Sequence, residues 1–165
     1  MKKAYLLIGG NIGDRLYYLT QGNKLIEQQC GHILGTSSIY ETAAWGKMDQ
    51  APFLNQVLLV ETVLDPLSLL DTILDIENSL GRKRKEKYDA RTIDIDILYY
   101  DNEKLETDIL TIPHPKISER RFVLTPLAEI APDLVDPTHN MSIKSLLAHC
   151  LDALEVKRFK TEDPA

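Results

Sequence analysis

The stretch from Arg82 to Tyr100 concentrates the side chains best suited to chemistry. Residues 82–91 carry six cationic side chains and two carboxylates. The residues that follow alternate between apolar and acidic types, so on a strand Asp94 and Asp96 would share one face, about 6.6 Å apart. Neighbouring carboxylates are stabilised by a cation, and Mg²⁺ commonly takes one or two protein carboxylates together with phosphates and water. The stretch therefore predicts a magnesium–triphosphate site.

Two ordinary explanations compete with this interpretation. A pair of aspartates on a solvated sheet face needs no metal, and a cationic run is commonly a solvated loop. The alternation assigns two faces to the strand: Ile93, Ile95, Ile97 and Tyr99 on one, and Asp94, Asp96, Leu98 and Tyr100 on the other. An apolar face could pack on the core while the aspartates face a ligand, and this combination favours the site.

The charge distribution points to a small anionic ligand. The chain has a formal net charge of −6, residues 82–91 contribute +4, and the remainder therefore carries −10. A basic island on an acidic protein suits a small anion better than a long nucleic acid, whose binding needs an extended basic surface. We expect no nucleic-acid partner.

The length of 165 residues suits one domain with one core. We expect a single domain over 1–157 and a loose C-terminal tail over 158–165. Cys30 and Cys150 have no motif spacing, so free thiols are expected. No apolar run approaches the roughly 20 residues of a membrane span, and no signal peptide is visible. We therefore expect a cytoplasmic protein outside the membrane.

The order of the predicted elements defines a fold class. These elements are a strand at Ala4–Ile8, a helix capped by Asp14, strands at Ile33–Tyr40 and Phe53–Thr62, a helix beginning at Asp65-Pro66, and the strand of Asp94 and Asp96. This order predicts an α+β protein, a ferredoxin-like split βαβ sandwich in which helices pack on an antiparallel sheet. The glycine turn before Asp14 lacks the Gly-Lys-Ser/Thr of a Walker A loop, so a tight turn is its simplest explanation.

Three isolated polar residues leave alternatives open. Asn55 could be a satisfied edge amide or a hydrogen-bonding group on a pocket floor. The predicted inward stripe of the second helix comprises Leu70, Ile73, Leu74 and Glu77. A carboxylate on such a stripe usually pairs with a cation, and Arg82 or Arg84 is within reach of Glu77. His114, between two prolines, could be a phosphate donor, a base or a plain turn residue.

Several motifs follow one another in order along the chain. They are Gly9-Gly10-Asn11-Ile12-Gly13-Asp14, Phe53-Leu54-Asn55, Ile76-Glu77 with Gly81-Arg82-Lys83-Arg84, Arg91-Thr92-Ile93-Asp94-Ile95-Asp96-Ile97-Leu98, and Pro113-His114-Pro115 with Arg120-Arg121-Phe122. On these motifs the chain resembles the bacterial 6-hydroxymethyl-7,8-dihydropterin pyrophosphokinases of folate biosynthesis, from about Ala4 to beyond Asp136.

The resemblance implies a reaction and a set of roles. The family transfers the β,γ-diphosphate of ATP to the hydroxymethyl group of the reduced pterin and releases AMP. Asp94 and Asp96 would hold two Mg²⁺ ions and would act in catalysis together with Arg82 and Arg84. ATP would be bound by Glu77, Arg82, Arg84, Arg91, Ile97, His114 and Arg120. The pterin would be bound by Thr42, Ala43, Ala44, Trp45, Phe53, Asn55 and Phe122, with Trp45 or Phe53 stacking opposite Phe122. The expected partners are these two small molecules, and the expected state is a monomer.

The chain departs from the family pattern in three places. Tyr88-Asp89-Ala90-Arg91 replaces the common Trp-Gly-Pro-Arg and is one residue shorter, Lys87 stands where an arginine is frequent, and Ala43-Ala44 replace prolines. The segments 41–52 and 82–90 bracket the predicted site, and we expect them to close over bound substrates.

Two other functions fit part of the pattern. A ferredoxin-like RNA-binding module could use the basic run, although no strand carries the aromatic pattern of such modules. Another D-x-D metal-dependent transferase, for nucleotidyl or glycosyl groups, could use the aspartate pair. The products formed from ATP and a reduced pterin distinguish these hypotheses.

Overall fold

The computed structural model describes residues 1–43, 51–81 and 92–160. The strands are β1 (Lys2–Gly10), β2 (His32–Thr36), β3 (Tyr40–Thr42), β4 (Phe53–Thr62), β5 (Asp94–Tyr100), β6 (Leu105–Glu106), β7 (Thr111–Ile112), β8 (Val135–Asp136), β9 (Met141–Ser142) and β10 (Val156–Arg158). The helices are α1 (Arg15–Gln29), α2 (Pro66–Ser79), α3 (Arg121–Ile130) and α4 (Ile143–Ala148), with a 3₁₀ turn at Ile117–Glu119 before α3.

One antiparallel sheet organises these elements. Its strand order is β10-β3-β4-β1-β5, and β2 pairs with the same edge of β4 as β3 does, further along that strand. β4 pairs with β1 along its length, from Lys2 opposite Thr62 to Gly10 opposite Leu54. The predicted α+β class, with helices packed on an antiparallel sheet, is confirmed.

Apolar clusters cover both faces of the sheet. On one face Leu6, Ile8, Leu58, Val60, Ile95 and Ile97 pack with Leu19 and Ile26 of α1 and Leu69, Ile73 and Ile76 of α2. On the other face Leu7, Val57, Leu98 and Tyr99 pack with Val123, Leu124 and Leu127 of α3 and Ile143 and Leu146 of α4. Leu6, Leu7 and Ile8 alternate between the clusters, as the two-residue period of a strand requires.

The helix starts expected from the sequence are present. The side chain of Asp14 accepts a hydrogen bond from the Tyr17 amide at 3.1 Å, and that of Asp65 accepts one from the Ser68 amide at 2.8 Å. Each carboxylate satisfies a backbone N–H that has no partner within its helix. Pro66 needs no such partner, because proline has no backbone N–H.

The single strand predicted over Ile33–Tyr40 is instead two strands. Between them the Ser37 amide donates to the Val57 carbonyl, and the Ser37 hydroxyl accepts from the Val57 amide, both at 2.9 Å. A side-chain oxygen thus replaces one rung of the ladder, and the chain bends there. Ser37 is 3% exposed, so these bonds are protected from water.

The chain beyond residue 157 also differs from expectation. Val156–Arg158 forms β10 and pairs with β3, and the Phe159 amide donates to the Ile39 carbonyl at 2.8 Å. The tail expected from residue 158 is therefore paired at its start. Residues 161–165 lie outside the described residues, and the extent of the domain stays a prediction.

A β-bulge changes the predicted faces of β5. Leu6 is opposite Ile97 but Tyr5 is opposite Tyr99, so Leu98 is an extra residue. An extra residue reverses the side-chain alternation beyond it. Tyr99, predicted on the face of the isoleucines, therefore points to the α3 side, and Tyr100 points to the α2 side. The predicted faces are therefore correct from Ile93 to Leu98 and wrong for Tyr99 and Tyr100.

The reversal brings Tyr99 to a buried carboxylate. The Tyr99 hydroxyl donates to Asp136 at 2.5 Å, and Asp136 also accepts from the Thr138 and His139 amides. Burial opposes the charge of Asp136, but the hydrogen bonds from Tyr99 and from His139 and Thr138 outweigh it and lower the pKa of this carboxyl. Asp136 therefore adds stability above the pKa of the unfolded carboxyl, and this stability is lost as pH falls through the folded pKa.

Two expectations from composition can be compared with the structure. Both cysteines are free, and burial raises the pKa of the Cys30 thiol to about 12, so it stays protonated. Within residues 1–43, 51–81 and 92–160, no helix has the length and apolar character needed to cross a membrane.

Tyr99→Phe should lower the free energy of unfolding by about 1–2 kcal/mol, because a buried carboxylate loses one donor. Urea titration at neutral pH measures this, and the difference from wild type should shrink in acid, where Asp136 becomes protonated. Tyr17 is 54% exposed on α1, so Tyr17→Phe is the matched control and should change stability by less than about 0.5 kcal/mol. Equal effects of the two substitutions would contradict a stabilising role for the Tyr99–Asp136 bond.

Candidate active site

A cavity of about 550 Å³ opens where one end of the sheet brings β3, β4, β1 and β5 side by side. Helix α2 and the segment 107–122 complete its walls. This volume lies in the range of small-molecule sites. The sheet therefore supplies a rigid floor, and the walls come from elements distant in sequence.

Gly9 forms the centre of the cavity floor. It is opposite Asn55 on β4 and opposite Asp94 on β5. Directly paired residues share a sheet face, and adjacent strands lie about 4.8 Å apart, which separates the backbones of Asn55 and Asp94 by roughly 10 Å. A Cβ at Gly9 would lie 2.2 Å from Oδ1 of Asn55 and 2.3 Å from the Leu54 carbonyl oxygen. Only glycine leaves room for the Asn55 amide.

The aspartates of β5 line the same cavity. Asp94 and Asp96 are half-buried, whereas Ile95 and Ile97 alternate with them and belong to the apolar cluster of α1 and α2. The predicted arrangement, with isoleucines behind the strand and carboxylates in front of it, is therefore present. Both carboxylates therefore place oxygen atoms, which can bind a metal ion, in the lining of the cavity.

Glu77 supports β5 from α2. Its side chain is 2% exposed, and Oε2 accepts a hydrogen bond from the Ile95 amide at 2.7 Å. Among the described residues β5 is the last strand of the sheet, so this amide on its outer edge binds a side chain where an inner strand would bind another strand. Glu77 also lines the cavity. The expected partners Arg82 and Arg84 lie outside the described residues.

His114 is held with a defined tautomer. Its backbone amide donates to the Leu98 carbonyl at 3.0 Å, and the Lys116 amide donates to its Nδ1 at 3.1 Å. Because Nδ1 accepts, the proton of the neutral ring is on Nε2. Burial is the main cause that lowers the pKa of His114, and the positive charge of Arg120 adds to it. Asp94 acts in the opposite direction and Lys116 in the same direction, and together these effects bring the pKa to about 4. A neutral donor with fixed orientation therefore borders the cavity.

Arg120 and Phe122 connect two sides of the cavity. The Arg120 guanidinium lies 5.7 Å from the centroid of the Phe122 ring, a cation–π distance. Both residues line the cavity at the start of α3. The predicted phosphate-binding cation and the predicted pterin-stacking ring are thus in contact.

The end of the cavity opposite β5 is formed by β3 and β4. Thr42 is opposite Phe53, and Asn55, 6% exposed, follows two residues later on β4. Ala43 also lines this end. Among the described residues, the buried Thr42 hydroxyl has no hydrogen-bond partner. An amide, a hydroxyl and an aromatic ring therefore line this end of the cavity.

The structure adds residues to the cavity lining that the sequence did not assign to the site. Leu70 and Leu74 of α2 form an apolar part of the wall. The lining also includes Thr107, Asp108 and Ile109, which are exposed, and Leu110 and Thr111, which are half-buried. The predicted stripe of α2 was partly wrong: its buried residues are Leu69, Ile73, Ile76 and Glu77, so Leu70 and Leu74 stay half-buried at the cavity. Ile109, 70% exposed between Asp108 and Leu110, had no periodic signal.

Some predicted site residues cannot be placed. Ala44, Trp45, Arg82, Arg84 and Arg91 lie outside the described residues. Their roles, and the closure expected of segments 41–52 and 82–90, stay predictions.

An α+β domain with two aspartates, a neutral histidine and an arginine around one cavity is typical of an enzyme acting on a phosphorylated small molecule. Residues 5–132 match the family described as 7,8-dihydro-6-hydroxymethylpterin-pyrophosphokinase (HPPK), and the chain belongs to this family. The resemblance inferred from the motifs is thereby confirmed.

Curated relatives agree with this assignment. The chain is 48% identical over 128 residues to the 2-amino-4-hydroxy-6-hydroxymethyldihydropteridine pyrophosphokinase of Bacillus subtilis, covering 77% of each chain. It is 40% identical over 144 residues to the protein of the same name from Aquifex aeolicus, covering 87% of this chain and 89% of the relative.

A solved structure supports the fold. The HPPK-DHPS of Plasmodium falciparum, crystallised with SDX-DHP, superposes with a TM-score of 0.72 at 21% identity. The match covers 90% of this chain and 43% of that longer chain, so this likeness concerns the fold of one part of it.

We predict that His114 stays neutral between pH 5 and 8 in the protein without nucleotide or metal, because burial and the neighbouring cations disfavour its charged form. Ring ¹⁵N chemical shifts during a pH titration test this, and they should show the proton on Nε2. A titration midpoint above about 6, near the ordinary value for histidine, would contradict the environment described for the ring.

Proposed function

We propose that this pyrophosphokinase of folate biosynthesis transfers the β,γ-diphosphate of ATP to the hydroxymethyl group of 6-hydroxymethyl-7,8-dihydropterin in the cavity above Gly9. The observation that carries the site assignment is the pairing of Gly9 with Asn55 on one side and Asp94 on the other. This pairing separates a neutral polar end from a carboxylate end by roughly 10 Å, two strand spacings. A pterin and a triphosphate could therefore lie end to end on one rigid floor.

The carboxylate end suits the triphosphate. The donor set of Asp94 and Asp96 fits Mg²⁺, because both are hard oxygen ligands on one strand face. The part of the chain that the structure describes holds no cluster of three or more His, Cys, Asp or Glu side chains, so phosphate and water would complete the coordination. When bound at these aspartates, two Mg²⁺ ions would neutralise negative charge on the phosphate oxygens.

The chain's own donors act beside that pair. His114 would donate from Nε2 to a phosphate oxygen without bringing a charge that varies with pH, whereas Arg120 brings a permanent charge. Arg82, Arg84 and Arg91 are proposed to bind phosphate oxygens as well, from the basic segment. Such donors stabilise charge that develops during transfer, and this type of reaction depends mainly on positioning and charge stabilisation.

The other end suits the pterin. Asn55 would pair with the polar edge of the ring system, Thr42 and Ala43 would border it, and Phe53 and Phe122 would cover its faces. The apolar wall of Leu70 and Leu74 would face the nucleotide base. Binding both substrates on one floor lowers the entropic cost of bringing the hydroxyl to the β-phosphorus.

The bond changes follow from this placement. The pterin hydroxyl oxygen attacks the β-phosphorus, and the bond between that phosphorus and the oxygen bridging to the α-phosphorus breaks. AMP leaves with the bridging oxygen, and the hydroxyl proton passes to solvent. We propose that a monomer performs this reaction in the cytoplasm.

Product analysis tests the function. The protein is incubated with ATP, Mg²⁺ and the reduced pterin, and nucleotides and pterins are separated by chromatography. We expect equal amounts of AMP and pterin diphosphate. ADP as the sole nucleotide product would mean transfer of a single phosphoryl group, and retention of ATP together with RNA binding would favour the binding-module alternative.

Asp94→Asn and Asp96→Asn should each lower turnover by roughly two orders of magnitude or more while the fold persists, because each replaces a charged metal ligand by a neutral amide of the same shape. Turnover is measured over a range of Mg²⁺ concentrations, and folding by circular dichroism. Asp71→Asn, on the exposed face of α2, is the control and should keep wild-type turnover. Wild-type turnover of either site variant at limiting Mg²⁺ would remove that aspartate from the metal site.

Asn55→Ala should weaken pterin binding by about 1–3 kcal/mol, because the polar edge of the ring would lose a buried partner. ATP affinity should stay the same, since Asn55 lies at the other end of the floor. Calorimetry with each substrate measures both affinities, and Asn78→Ala on the exposed surface of α2 is the control. An unchanged pterin affinity would exclude Asn55 from this site.

A further inference from the structure

We infer that Arg15, which lies outside the cavity lining, is a positioning residue for the pterin end, and that the C-terminal segment after β10 is part of the same arrangement. The inference rests on the proposed function, since it assigns the β3–β4 end of the cavity to the pterin. It concerns the interactions that keep β3 and β4 in fixed positions at that end of the cavity.

Arg15 binds both strands at once. Its Nη1 donates to Glu41 Oε2 at 2.6 Å and to the Pro52 carbonyl at 2.9 Å. The side chains of Arg15 and Glu41 are only 25% and 33% exposed, so the ion pair is partly shielded from water. Charge-assisted bonds of this kind are short and directional. One guanidinium group therefore fixes the distance between the two strand ends.

The bonded positions are next to the cavity walls. Glu41 immediately precedes Thr42, and Pro52 immediately precedes Phe53, while Thr42 and Phe53 are directly opposite each other. The chain leaves β3 and enters β4 at these positions. Any change in the separation of Glu41 and Pro52 would therefore move Thr42 and Phe53.

Asn11 supports the same place from the glycine turn. Its side-chain amide donates to the Ala51 carbonyl at 2.9 Å, and Asn11 is 4% exposed. The turn that follows β1 thus also secures the chain that enters β4. The glycine turn, which has no Walker A pattern, acquires a structural role next to the pterin end.

The C-terminal segment also lies beside the Arg15 guanidinium. Cζ of Arg15 lies 5.6 Å from the centroid of the Phe159 ring, and the Phe159 amide donates to the Ile39 carbonyl. β10 pairs with β3, with Val156 opposite Thr42. The planar guanidinium is larger and more weakly hydrated than an ammonium and suits an aromatic ring better, so lysine should replace arginine only in part here.

This arrangement predicts an effect confined to one substrate. Arg15 does not line the cavity. Within the described residues its side chain donates to Glu41 and Pro52 at the β3–β4 end, whereas β5 and the segment around His114 form the nucleotide end. Its loss should raise the dissociation constant of the pterin about tenfold or more, because small displacements of positioning groups are costly. The dissociation constant of ATP should change by less than about twofold.

The test compares Arg15→Ala, Arg15→Lys and Phe159→Leu with wild type in the full chain. Calorimetry gives the dissociation constants of the reduced pterin and of a non-hydrolysable ATP analogue with Mg²⁺, and steady-state kinetics gives KM and kcat. We expect the largest pterin effect for Arg15→Ala and intermediate effects for the other two, since each keeps some of the contacts. Lys144→Ala is the control, because Lys144 pairs with Asp133 at 3.0 Å on an exposed surface.

Three outcomes would overturn the inference. They are an unchanged pterin dissociation constant, equal weakening of both substrates, and full recovery of pterin affinity in Arg15→Lys. If Arg15→Ala does not fold, Arg15→Lys and Phe159→Leu give the same comparison with smaller changes. AMP production by the wild type is measured in parallel, so a failure of the proposed function is recognised separately from a failure of the role of Arg15.

Discussion

The absence of a side chain at Gly9 is the constraint on which the site depends. Gly9 lies between Asn55 and Asp94 near the end of the interior strand β1, and a single methyl group there would overlap the Asn55 amide and the Leu54 carbonyl. The floor of the cavity is therefore formed by backbone, with the Asn55 amide on one side and the Asp94 carboxylate on the other. Hydrogen bonds to both neighbouring strands hold this floor, so the separation of the two functional ends is a property of the sheet itself.

Each end of the floor then requires its own support, because each lies at a margin of the fold. In the part of the chain that the structure describes, β5 is the last strand of the sheet, and Glu77 occupies its outer edge by accepting the Ile95 amide. β3 is only three residues long, and its far edge is covered by β10. The two ends are thus held by different interactions. A buried hydrogen bond from Glu77 of α2 holds the β5 end. The ion pair of Arg15 with Glu41, together with the pairing of β10 with β3, holds the other end.

The sequence predicted some parts of this structure well and others poorly. Asp14 and Asp65 were recognisable as helix caps because capping is local, and the aspartate pair was recognisable because a strand repeats every two residues. The split at Ser37 and the bulge at Leu98 were not predicted. Both depend on partners in other strands, Val57 and Tyr5, that no local pattern shows.

The sequence by itself determined the α+β class, the family and the face of β5 that carries Asp94 and Asp96. These follow from residue types at short, regular spacing. Only the tertiary structure decided that Asn55 and Asp94 flank Gly9, that His114 is neutral, and that the C-terminal segment lies beside Arg15. The physical reason is that strand pairing, desolvation and stacking join residues far apart in the chain, and their energies depend on distances that spacing along a sequence does not specify.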